Sequence, residues 1–191
     1  DTYNNELLQL EKLREEAVRT NDTVYLPLYK FMRSFHYYEL TLRFGDIPYS
    51  DAMKGQAEGN YNAKYDTQEE VFAGILNDLT AADEELAASP DADVIEGDII
   101  YGGDKLKWRK LINSFHLKVL LTLSHKATVG GINVQQEFAR VAQLPLMESN
   151  ADNGQLVYLD QEGNRYPQFN AQWSGYYMDK TYVDRMAERQ D

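Results

Sequence analysis

The stretch TLRFGDIPYSDAMKG, residues 41–55, divides this chain into a periodic part and an irregular part. A long amphipathic run ends at Gly45, and an acid, an isoleucine, a proline and a tyrosine come directly after it. Glycine just past the last periodic residue takes the left-handed conformation at little steric cost and ends a helix. Pro48 then keeps the helix from resuming, because it lacks an N–H and clashes with the preceding turn. Residues 45–55 read as a helix stop, a ligand loop or a family signature, and the rest of the chain has to decide among them.

Bulk properties narrow the classes. The 191 residues suit one domain or one piece of a larger protein, and 43% hydrophobic residues suffice for a core. Thirty-one Asp and Glu against nineteen Lys and Arg leave a net charge of −12, which argues against nucleic acid and anionic membrane surfaces. No apolar run approaches the ~20 residues of a membrane-spanning helix. Cysteine is absent, so disulfides and thiolate chemistry are excluded. The chain begins at Asp1 without a signal peptide or a lipid-acceptor cysteine, the pattern of a trimmed protein or a fragment.

Apolar spacing predicts four long helices. The first covers about 4–20, with Leu7, Leu10 and Ala17 on one side. The second runs from Asp22 or Thr23 to Phe44, with Leu28, Phe31, Met32, Phe35, Tyr38 and Leu42 as its stripe and Glu39–Arg43 as an i,i+4 ion pair. The third starts at Asp66 or Thr67, which stand at capping-box spacing from Glu69 and Glu70, and carries Val71, Ile75, Leu79, Ala82 and Leu86. The fourth starts near Lys105, buries Trp108, Ile112, Phe115, Val119 and Leu123, and is apolar nearly all round in its second half. Shorter helices are expected at 134–143 and from 181 to the end. Residues 155–168 read as a small β-hairpin with its turn at Gly163–Asn164. The fold class is mainly α, with antiparallel helix pairs resembling tetratricopeptide repeats and two long loops, 45–65 and 87–104.

Catalytic and cofactor motifs are missing. His36, His116 and His125 form no i,i+4 metal pair, and no Walker loop, dinucleotide glycine pattern or nucleophile elbow occurs. No cofactor, catalytic residue or metal ligand is expected. Aromatic and polar residues are plentiful instead, with 14 Tyr among them. Residues 158–182 interleave Tyr158, Tyr166, Phe169, Trp173, Tyr176, Tyr177 and Tyr182 with Asn164, Asn170, Gln172 and Asp179. Flat rings suit the C–H faces of a sugar, and amides and acids suit its hydroxyl rim. The competing reading is that the rings fasten an irregular segment onto the helices. Candidate ligand-binding residues are Trp173, Tyr176 and Tyr177, then Tyr49 and Tyr61 with Asn62 on the first loop.

Three segments in order carry a resemblance. LRFGDIPYSDAMKG resembles the "fGDiPYseA" segment of the SusD/RagB family, and YDTQEEVFAGILNDLTAADEEL resembles that family's "YDtqeeiy" helix. DIIYGGDKLKWRKLINSFHLKVLLTLS is similar to its "D.iY.GD..KW" segment, matching at Asp98, Tyr101, Gly103, Asp104, Lys107, Trp108, Asn113 and Ser114. Lys118 departs from the family's Arg, keeping the charge and losing the planar fork. ADNGQLVY is similar to a "DNa.l.y" element. Residues 22–130 carry the firm part of the match.

The resemblance implies a single SusD-like α-helical domain over 1–191, incomplete because family members are longer. It implies a non-catalytic lipoprotein at the outer-membrane cell surface, anchored by a lipid that this chain lacks. Such a protein captures an oligosaccharide or other nutrient and delivers it to a SusC-like TonB-dependent transporter. A helical peptide-binding scaffold and a secreted glycan hydrolase are the alternatives. FGDIPY, shared across members with different cargoes, then marks the fold rather than the ligand. Specificity is expected in residues 56–65 and in the downstream aromatic segment.

Overall fold

The computed structural model describes residues 2–167 and 179–189, with the side chains of residues 56 and 57 outside the description. It comprises two compact units, residues 1–155 and 156–191. The first unit opens with one π-helical turn, Tyr3–Leu7, that runs into α1 (Leu8–Thr20). A short 3₁₀ turn, Thr23–Tyr25, leads into α2 (Leu26–Phe44). Then come β1 (Ile47–Pro48), α3 (Lys54–Glu58), β2 (Tyr65–Asp66) and α4 (Gln68–Ala88). After the second long loop come α5 (Lys105–Thr122), β3 (Thr128–Val129), β4 (Ile132–Asn133) and α6 (Val134–Val141). The second unit holds α7 (Lys180–Arg189). The fold is mainly α, and its only strands among the described residues are two antiparallel pairs, β1–β2 and β3–β4. No helix among the described residues is long and apolar enough to cross a membrane.

Helices pack in chain order: α1 on α2, α2 on α4, α4 on α5 and α5 on α6. The stripe of α4 is the centre of the core, where Val71, Ile75, Leu79 and Ala82 are wholly inaccessible. Trp108, Ile112, Phe115 and Val119 of α5, and Leu123 just past its end, close over it. Phe115 receives the edges of Phe31 and Tyr38, with centroids 5.8 and 5.3 Å away, so the α2–α5 seam is aromatic. Lys118, at the family's Arg position, lies with its ammonium 5.4 Å from the Tyr38 ring centre, a cation–π contact that needs no planar fork.

The helix starts show the expected chemistry. Thr67 Oγ1 accepts from the Glu70 N–H, and Glu70 accepts from the Thr67 N–H at 2.8 Å, which completes the capping box. Asp104 and Asn133 cap α5 and α6 in the same way, each side chain accepting from the N–H three residues on. Each such cap is worth ~1 kcal/mol.

The structure corrects the sequence reading in several places. The buried arc of α2 is rotated from the expected stripe: Phe35 and Leu42 are substantially exposed, while Tyr37, Leu40 and Thr41 are buried. The cause is that α2 has neighbours on two sides, α1 and α4, so its buried arc is wide. Leu121 is 65% exposed, so the second half of α5 is not enclosed all round. Gly45 has φ +73° and ψ −116°, outside the left-handed helical region although still at a φ that favours glycine. Its N–H donates to Thr41 O, and the Thr41 hydroxyl donates to Gly45 O at 2.7 Å. Within the second unit, the hairpin expected over 155–168 forms only its turn. Leu159 N–H donates to Asn164 O around Gly163, and no strands pair there among the described residues.

His116 of α5 is fully buried, with neither ring nitrogen hydrogen-bonded among the described residues. Burial lowers its pKa from 6.5 to about 4. Glu137, with its carboxylate 3.6 Å from Nε2, and Asp83 pull the other way, while Arg140 adds to the lowering. The folded chain therefore holds the neutral imidazole, and the unfolded chain takes up a proton as the pH falls through 6.5. Stability from this group is complete above pH 6.5, declines as the pH drops, and is gone below about 4, a change on the order of 3 kcal/mol. Urea-unfolding curves between pH 7 and 4 should fall more steeply for the native chain than for His116→Leu. Parallel curves would show that the imidazole stays paired or hydrated.

Candidate functional site

The first long loop is built onto the helices by a few polar groups. Asp46 Oδ1 accepts from the N–H of Gln68 at 2.9 Å and so adds a second cap to α4. Ile47 is buried, and the carbonyl of Pro48 accepts from the Tyr3 hydroxyl at 2.7 Å. Ile47 and Pro48 pair with Asp66 and Tyr65 across β1–β2. Asp66, 4% exposed, then gathers the turn: it accepts from Tyr49 N, from Ser50 N at 2.6 Å and from Ser50 Oγ at 2.9 Å, with Lys64 Nζ 3.1 Å away. Burial alone would raise the Asp66 carboxyl. The Ser50 N–H and O–H, Lys64 and the Tyr49 N–H outweigh it and hold the group below the usual range.

Tyr49 is half-buried and packed into this scaffold. Its ring lies under the Arg33 guanidinium, 4.7 Å from centroid to Cζ, and meets the edge of Tyr37 at 4.7 Å. Arg33 also pairs with Asp78 at 3.1 Å, which brings that carboxylate's charge to bear on the Tyr49 phenol. Burial raises the phenol pKa of Tyr49 and the carboxyl pKa of Asp78. The ring reaches this place because α4 has a glycine beneath it. A Cβ at Gly74 would stand 2.3 Å from the Tyr49 hydroxyl and 2.5 Å from ring carbon Cε1.

Tyr61 and Asn62 are presented outward. Tyr61 is 82% exposed, with only the edge of its ring against Gly55. Asn62 is exposed, and its N–H donates to Asn60 Oδ1, which leaves its amide side chain at the surface. The structure therefore separates the sequence-expected residues of this loop, with Tyr49 inside and Tyr61 and Asn62 outside. Trp173, Tyr176 and Tyr177 lie outside the described residues.

The second long loop is held by one carboxylate. Asp98 accepts from the N–H groups of Ile100, Tyr101 and Gly103 and from the Trp108 indole at 2.7 Å. Burial would raise its pKa, and these donors, Gly103 and Trp108 first, bring it below the usual value. The Tyr101 hydroxyl ties the loop to Asp152 O, and Ser114 Oγ accepts from Met147 N–H. Asn113 donates to Asp83, which Arg109 meets at 2.7 Å. The residues of this motif are thus engaged in folding. Sequence reasoning missed the Arg33–Asp78–Tyr49 cluster, whose members are far apart in the chain and carry no periodic signal. No group of His, Asp and Glu able to hold a metal ion occurs among the described residues.

A family model described as "Starch-binding associating with outer membrane", SusD-like, matches residues 1–191. The chain belongs to the SusD-like family. Among solved structures, a SusD homologue from Bacteroides fragilis NCTC 9343 is 62% identical with a TM-score of 0.90, and the alignment covers 100% of this chain and 40% of that one. An outer-membrane protein from Bacteroides vulgatus ATCC 8482, with an inferred role in nutrient binding, is 49% identical at the same TM-score, covering 100% and 41%. A chain called a chitin-binding protein is 27% identical with a TM-score of 0.66, covering 80% of this chain and 32% of that one. No curated protein matches the chain. This SusD-like chain thus spans about 40% of the length of its first two relatives.

Within this scaffold the contact between Tyr49 and Gly74 is open to test. Gly74→Ala gains roughly 1 kcal/mol of helix propensity. It also forces a Cβ into a ring fixed by Arg33 and Tyr37, and such overpacking costs about 1–3 kcal/mol. Gly74→Ala should lower the chain's stability in urea, and the same change should be neutral or favourable in a Tyr49→Leu background. A stabilised single variant would show that the ring is free to move.

Proposed function

We propose that this chain is part of a cell-surface nutrient-binding protein that captures an oligosaccharide and passes it to a SusC-like TonB-dependent transporter. No bond is made or broken in that task. The supporting observation is the loop between β1 and β2: its ends are clamped by Asp46 and Asp66, while Tyr61 and Asn62 stand free at its tip. A rigid support with an exposed ring and an amide beside it meets the C–H face and the hydroxyl rim of a sugar without a large ordering cost. Family membership supports the same reading, as does the likeness to a chitin-binding protein. The net charge of −12 favours a neutral glycan over an acidic one.

Trp173, Tyr176 and Tyr177 are proposed as further stacking residues, and anchoring at the outer membrane as the setting. Titration calorimetry against neutral oligosaccharides and short peptides tests the reading. Binding to at least one glycan, weakened about fivefold or more by Tyr61→Ala or Trp173→Ala, is expected. Because Tyr61 is exposed, its loss should leave the melting temperature nearly unchanged. Binding to peptides and to no oligosaccharide would overturn the proposal, and breakdown of the added polymer would point to a hydrolase.

A further inference from the structure

The last turn of α2 and the β1–β2 pair enclose a cleft of about 570 Å³, within the ~300–1,000 Å³ of small-ligand sites. Two large rings stand at its rim. Phe44 and Tyr65 are each 71% exposed, and neither makes a ring–ring contact among the described residues. The backbone beneath them is fixed. Gly45 O accepts from the Thr41 hydroxyl, Pro48 O accepts from the Tyr3 hydroxyl at 2.7 Å, and Pro48 pairs directly with Tyr65. Leu40 and Ile47, both buried, form the floor.

Besides the hydroxyls of Thr2, Tyr3 and Tyr65, a guanidinium and a carboxylate with capacity to spare line the same cleft. Arg43 has a side chain 69% exposed, and one nitrogen of its five-donor fork meets Glu39 at 3.1 Å. Asp46 uses Oδ1 for the Gln68 N–H, and Oδ2 has no partner among the described residues. The guanidinium offers donors and the carboxylate acceptors, which suits vicinal hydroxyls, whereas a phosphate or carboxylate ligand would meet the negative charge of Asp46 and Glu39. Rings on the rim supply the flat apolar contact for the sugar's C–H face.

We propose that this cleft is a subsite for one neutral pyranose ring, stacked on Phe44 or Tyr65 and hydrogen-bonded by Arg43 and Asp46. The assignment rests on the carbohydrate reading of the chain and adds a second contact point to the Tyr61 loop. A ligand of several sugar units would engage both, and two weak contacts on one chain combine into a stronger one through effective concentration.

The test uses the purified protein with maltoheptaose, cellohexaose, mannohexaose and xylohexaose, measured by calorimetry alongside melting temperatures. For whichever of these binds, Phe44→Ala and Tyr65→Ala should each weaken affinity about fivefold or more, with little change in melting temperature. Tyr65→Phe, which keeps the ring, should stay within about twofold of the native chain, and Arg43→Gln should lose affinity. If a glycan binds and neither alanine variant weakens it, the subsite is wrong and the carbohydrate reading stands. If none of the four binds, the carbohydrate reading fails for neutral glycans and the subsite fails with it. Should Phe44→Ala lower the melting temperature by several degrees, Phe44 is a packing residue, and Tyr65→Ala alone then decides.

Discussion

The absence of a side chain at position 74 is the constraint on which the candidate surface depends. Tyr49 sits directly against the α4 backbone there, with the Arg33 guanidinium over its ring and the edge of Tyr37 against it. Dispersion and cation–π attraction hold the ring only because nothing separates it from the helix. With Tyr49 fixed, Asp66 can close on Tyr49 and Ser50, and the chain leaves α3 toward a loop tip whose side chains face outward.

The same division of labour recurs at the second loop. Asp98 takes four donors at once, three from the backbone and one from Trp108, so the chain from 98 to 103 wraps around a single carboxylate. A carboxylate with this many donors is a folding device: every lone pair aimed at the protein is unavailable to a ligand. The segments through which the chain was recognised as SusD-like are largely these devices. Gly45, Asp46, Ile47, Pro48 and Tyr49 all serve the scaffold, and among their neighbours Phe44 faces outward. A family signature of this kind reports the support on which the proposed site stands.

Much of this was legible in the sequence, for local reasons. The capping box at Thr67, the i,i+4 pair of Glu39 and Arg43, the burial of Trp108 and the apolar stripes of α1, α4 and α5 depend on residues within a turn or two of each other. The misreadings depend on distant partners. Tyr49 carries the composition of a ligand residue and is half-buried because Arg33 and Gly74 meet it from other helices. Phe35 and Leu42 fall on a good stripe, yet α2 is wedged between two neighbours and its buried arc turns toward Tyr37 and Leu40. Two-residue strands such as β1 and β2 leave no alternation to detect, and among the described residues after Gln155 there is a recognisable turn without the paired strands that would make it a hairpin.

On the proposed function, ligand contact belongs to side chains that project from the first loop and the end of α2, and the second loop is structural. Amide hydrogen exchange of the protein, measured with and without a saturating neutral oligosaccharide, addresses it directly. Slower exchange at residues 59–65 on binding, with no change at residues 98–104, is the predicted result. Protection confined to 98–104, with the 59–65 amides unaffected, would contradict it.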